Sequence, residues 1–109
     1  MPATQLTFDA MSRRFDDTMG LARARLAAMG RADDELAGLL GRARSPRGDA
    51  EAAVDGRGAL VSLRLAESVA RMPPEALGAL IVDTAHAAAR DAMAQRAHVL
   101  DDLVDELGG

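Results

Sequence analysis

Two long segments of the chain repeat apolar positions at helical spacing, and a short segment between them alternates apolar and polar residues. In the first, Phe8, Met11 and Phe15 lead into Met19, Ala22, Leu26, Met29, Asp33, Leu36 and Leu40. This is a heptad-like stripe with one extra step of four between Phe15 and Met19. Thr4 or Thr7 can cap its start with a hydroxyl, and Gly38 is a reasonable stop. Gly20 and Gly30 each weaken the helix by about 1 kcal/mol relative to Ala, so bends or close contacts are expected there. A helix over about 5–38 would be roughly 50 Å long at 1.5 Å per residue. That exceeds what one small globule can cover, so part of it should project or pair with another chain.

The second segment opens on Pro74, which suits a first helical turn, with Glu75 well placed for the helix dipole. Leu77, Leu80, Ile81 and Thr84 are followed by an alanine-rich run whose small side chains permit close helix approach. Met93, Ala97, Leu100, Val104 and Leu107 then form another heptad seam in a helix predicted over 74–107. Asp101, Asp102, Asp105 and Glu106 fall in its last turns, where the dipole disfavours negative charge, so either a basic partner nearby or fraying is expected.

Between the helices, Ser45-Pro46-Arg47-Gly48 and Asp55-Gly56-Arg57-Gly58 are turn signatures, because Pro presets φ and Asp-Gly tolerates the positive φ of a tight hairpin. They separate Leu40–Arg44, Ala50–Val54 and Leu60–Leu65. In the last, Val61, Leu63 and Leu65 alternate with Ser62 and Arg64, as in a half-buried strand. A three-stranded meander over 40–65 follows, and Ala66–Pro73 reads as a connector. The expected fold is one α+β domain spanning 1–109, ordered α-β-β-β-α.

Composition narrows the function. The chain has 109 residues, two Phe, and no Trp, Tyr or Cys. A chain this size and this rich in Ala buries little core alone and often needs association. Without Cys there is neither a disulfide nor a thiolate metal site. No apolar run approaches a membrane span, and no basic leader precedes an apolar stretch, so a cytoplasmic protein with no membrane partner is expected. All thirteen basic residues are Arg. Residues 1–47 hold eight Arg and six acids, whereas 48–109 hold five Arg and eleven acids, for a total of −4. An acidic total works against strong nonspecific affinity for nucleic acid, although a local basic face can still hold phosphates.

Several residues bear on a family. Ser45-x-x-Gly48 precedes a strand, and Val54-Asp55-Gly56-Arg57-Gly58 with Leu60 forms a hairpin. Leu63-Arg64-Leu65 alternates, and Pro73-Pro74-x-x-Leu77 opens a helix continuing through Ile81-Val82 to Ala88. This core over 41–92 resembles the YbaB/EbfC family of bacterial nucleoid-associated proteins. The resemblance implies a tweezer-like homodimer with its sheets joined in a shared core and its helices projecting as arms. It also implies largely nonspecific DNA binding through those arms in the cytoplasmic nucleoid, and no enzymatic activity or cofactor.

On a helical wheel of the first segment, with Arg13 at zero, Arg31 falls near 0°, Arg14 near 100° and Arg25 near 120°, against an apolar stripe at about 160–240°. Arg13, Arg14, Arg25 and Arg31 are therefore the candidate DNA-binding residues, diluted by Asp17 and Glu35 at about 40° on the same wheel. An ordinary solvated helix face reads similarly. If the long helices return antiparallel, Arg13 and Arg14 would lie near Asp101, Asp102 and Asp105, in one chain or across a dimer. The meander carries a second basic set, Arg42, Arg44, Arg47, Arg57 and Arg64, with Arg42 and Arg44 on one strand face. This set fits either a phosphate-contacting patch or the solvated outer face of a sheet. His86 and His98 lack companions at metal spacing, and His98 with Asp102 would supply two ligands at most. No nucleophile–base order or phosphate loop points to catalysis. The alternative function is a dimeric protein-interaction module with the same fold and little DNA affinity, its apolar arms gripping a partner helix.

Overall fold

The computed structural model describes the backbone of residues 3–108 and the side chains of residues 9–108. The order is α1 (Ala3–Ala37), β1 (Leu40–Arg44), β2 (Ala50–Asp55), β3 (Leu60–Leu65), a 3-10 turn (Glu67–Arg71) and α2 (Pro74–Gly108). The predicted α-β-β-β-α arrangement is therefore present, with β1 and β3 as read from the sequence. The helix α1 begins at Ala3 and runs unbroken through Gly20 and Gly30, neither of which has a neighbour within 4 Å of the position a Cβ would take. The connector is partly ordered as the short turn Glu67–Arg71, a stretch without a periodic apolar pattern.

The strands form an antiparallel sheet in the order β1-β2-β3. Its two turns close as expected in hydrogen bonding: Gly48 donates its N–H to Ser45 O at 2.8 Å, and Gly58 donates to Asp55 O at 3.0 Å. The positive φ in the second turn falls on Gly58, at 89°, rather than on Gly56. The Asp55 carboxylate instead organises that turn, accepting the N–H groups of Arg57 and Ala59 at 2.9 and 3.0 Å. Gly56 is required for space, because a Cβ there would lie 2.7 Å from Leu36 O.

One sheet face carries Gly41 and Ala43, Ala50, Ala52 and Val54, and Leu63 and Leu65, in register across the strands. A ladder irregularity between Ala53 and Val54 pairs Val54 with Leu60, so Leu60 takes the inward position and Val61 does not. The helix α2 lies across β1 and β2 only. Its backbone at Ala88 and Ala92 comes so close to Gly41 that any Cβ there would overlap both. Asp91 Oδ2 accepts the Arg42 N–H at 2.8 Å, and Gln95 Nε2 donates to Leu40 O at 2.8 Å. These two side chains occupy the outer edge of β1 and block further strand pairing there.

Among the described residues the buried apolar ones are Leu39, Val54 and six alanines. This is a thin core for a chain of 109 residues. The half-buried β3 expected from its alternation is exposed along its whole length, because α2 stops short of it. The molecule measures 90 × 17 × 16 Å with a Cα radius of gyration of 24.5 Å. A compact domain of about 100 residues has a radius near 13 Å, so a large part of this chain projects.

Candidate nucleic-acid interface

The projecting part is set by where α2 ends along α1. The two helices run antiparallel, with Leu36 and Leu39 packed at Ala88 and Ala92 and Arg31 meeting Glu106 near the far end of α2. Residues 3–27 of α1, N-terminal to the buried Ala28, therefore extend about 38 Å beyond the shared turns, at 1.5 Å per residue. The joint is made by Ala28 and Ala32 of α1, both buried, with Val99, Leu103 and Leu107 of α2 half-buried. Alanine at two positions four apart lets the helices approach closely.

Most of each sequence-predicted seam lies outside this joint; Leu36 and Leu107, both half-buried, are the members that reach the packed surface. Phe15 and Leu26 on α1 are 65% and 67% exposed, and Met93 and Val104 on α2 are 70% and 65% exposed. Met11, Met19, Met29 and Leu100 are exposed with them. On each helix the seam is rotated about 100° from the line of contact, and in an antiparallel pair these rotations bring both seams to one side. On α2 that side lies opposite the residues that touch the sheet, Ala88, Asp91 and Gln95. The side chain of Phe8 lies outside the described residues.

The four candidate arginines fall into two groups. Arg13, Arg14 and Arg25 are exposed on the projecting arm, and among the described residues they form no ion pair. Arg31 sits at the base of the arm and donates from Nη2 to Glu106 Oε2 at 2.8 Å. Arg13 and Arg14 do not lie near Asp101, Asp102 and Asp105 within the chain. Arg14 is 17 residues before Arg31, so it stands about 26 Å further out along the helix. Arg31 is thus the basic partner that the acidic end of α2 required. The His98 Nε2 and Asp102 Oδ2 atoms are 3.6 Å apart, an i,i+4 pair on an exposed face. No group of three or more His, Asp or Glu that could hold a metal is present among the described residues. No helix among them is long and apolar enough to cross a membrane.

The outer face of the sheet holds the second basic set. Arg44, Glu51 and Arg64 form one cross-strand row, and Arg42, Ala53 and Ser62 form the next. They line an open trough of about 500 Å³.

No curated protein and no solved structure matched the chain. The family model described as the YbaB/EbfC DNA-binding family matches residues 11–107, which takes in most of the projecting arm, the whole meander and nearly all of α2. On that match and on the α-β-β-β-α architecture, the chain belongs to the YbaB/EbfC DNA-binding family.

Proposed function

We propose that this protein is a nucleoid-associated DNA-binding protein that acts as a homodimer and holds duplex DNA largely without regard to sequence. The observation that carries the reading is the arm. Arg13, Arg14 and Arg25 stand exposed on a helix that leaves the body of the chain, and among the described residues none of them pairs with a carboxylate. Guanidinium groups suit phosphate because their planar fork can donate two parallel hydrogen bonds. Contacts of this type fix position on the duplex and carry no sequence information. Arg31 joins them by exchanging Glu106 for phosphate.

Dimer formation is supported by the imbalance between core and surface. Among the described residues one Val, one Leu and six Ala are the buried apolar side chains, whereas Phe15, Leu26, Met93 and Val104 are mostly exposed. The two seams share one side of the helical pair, so a second copy placed there would cover both at once. The leucines of β3 are exposed as well, at the open sheet edge.

The test is fluorescence anisotropy of labelled duplexes of unrelated sequence with wild type and an Arg13→Ala/Arg14→Ala/Arg25→Ala/Arg31→Ala variant. Similar affinity across sequences, weakened by orders of magnitude in the variant, is the expected result. The exposed seams also favour a second reading, a module whose arms grip an apolar helix of another protein. That binding would depend little on salt, whereas phosphate binding weakens linearly in log K against log salt.

A further inference from the structure

We propose that the outer face of the sheet is a second phosphodiester-binding surface, which the DNA backbone contacts in addition to the arm. The proposal rests on the DNA-binding reading above and concerns a different part of the chain. The polar lining of the trough on this face is Arg42, Arg44, Glu51, Ser62 and Arg64, with Leu40 and Val61 as apolar residues beside them. Three guanidinium groups against one carboxylate give it a net +2 in a chain whose total is −4. Such a local excess attracts a polyanion even when the whole protein is acidic.

The arginines are arranged around a low floor. Ala53 on the central strand pairs with Arg42 on one side and Ser62 on the other, so the middle of the face is small. Arg42 and Arg44 are two residues apart on one strand, about 7 Å along it. Arg64 faces Arg44 across Glu51, two strand spacings or about 10 Å away. Among the described residues neither Arg42 nor Arg64 has a carboxylate partner.

Arg44 is held in place. Its Nε lies 3.4 Å from Glu51 Oε1. Its Nη2 lies over the first turn, 2.8 Å from where a Cβ on Gly48 would be. The bare backbone of Gly48, at a φ of 75°, makes room for the guanidinium. The trough offers no aromatic ring for base stacking, and its donors are all cationic or hydroxyl groups. The ligand chemistry it fits is therefore the phosphate backbone and not the base edges. The face lies on the side of the sheet away from α2, so covering the helical seams leaves it open.

The experiment measures duplex affinity between about 50 and 200 mM salt for wild type, Arg42→Ala/Arg44→Ala/Arg64→Ala, and Glu51→Gln. Removing three phosphate-binding arginines should weaken binding at least about tenfold and lower the slope of log K against log salt by about 3. Glu51→Gln keeps every arginine, and removing the one carboxylate should tighten binding about threefold or more. That variant guards against a triple variant that fails to fold. If the triple variant, folded by circular dichroism, binds with the wild-type affinity and slope, or if Glu51→Gln binds no tighter, the sheet site is wrong. The arm reading still stands in that case, provided the arm variant no longer binds. If wild type binds no duplex at low salt, both readings fall together.

Discussion

Arg31 and Glu106, 75 residues apart in sequence, meet at 2.8 Å near the end of the stretch that the two long helices share. Everything N-terminal to the buried Ala28 on α1 is arm. The pair also answers the electrostatic problem at the end of α2, where Asp101, Asp102, Asp105 and Glu106 crowd the negative pole of the helix dipole.

The pair predicts an asymmetry among the arm arginines. Arg31 must leave Glu106 to reach a phosphate, whereas Arg14 and Arg25 are free. Arg31→Ala should therefore weaken DNA binding less than Arg25→Ala, and Glu106→Gln should strengthen it. Stability should hardly change, because the two side chains are 61% and 49% exposed and such pairs contribute about 0–1 kcal/mol. Anisotropy titrations and thermal unfolding of the three single variants check both statements.

Gly41 and Gly20 should respond to alanine with opposite signs. A Cβ on Gly41 overlaps the α2 backbone at Ala88 and Ala92, which cannot move without opening the sheet–helix joint. Gly41→Ala should cost about 3 kcal/mol or more, at the upper end of overpacking. A Cβ on Gly20 meets nothing, and α1 is helical there, so Gly20→Ala should stabilise by up to about 1 kcal/mol. Urea denaturation midpoints of the two variants decide this.

The exposed seams predict a stability that depends on protein concentration. If a second copy covers them, the unfolding temperature should rise with concentration, as for any folded state stabilised by association. Leu26→Glu and Val104→Glu place charge in the shared side and should shift sedimentation toward the monomer. A wild type that sediments as a monomer at tens of micromolar would contradict the dimer.

Element type and order were legible in the sequence because the periods differ so sharply: 3–4 along the helices, 2 along Leu60–Leu65. The turns were legible from Pro46, Gly48 and Asp55. The role of each apolar stripe was not. Periodicity shows that Phe15, Leu26, Met93 and Val104 share faces, but not which neighbour those faces meet. The helices joined instead through Ala28 and Ala32, residues that carry little hydrophobic signal. The space requirement at Gly41 and the β1 edge contacts of Asp91 and Gln95 depend on partners about fifty residues away, so no local pattern marks them. For the candidate site, the wheel placed the arginines on an outward face of α1. The helical register that leaves Arg13, Arg14 and Arg25 free and occupies Arg31 became visible only with the ends of the two helices in place.

Phosphate binding by the arm is tested most directly by the salt dependence of duplex affinity for wild type and the Arg13→Ala/Arg14→Ala/Arg25→Ala/Arg31→Ala variant. For wild type, log K should fall linearly with log salt. In the variant the slope should be smaller by about 4, one for each arginine removed from a phosphate. Wild-type binding that ignores salt, or a variant with the wild-type slope, would contradict phosphate contacts from the arm.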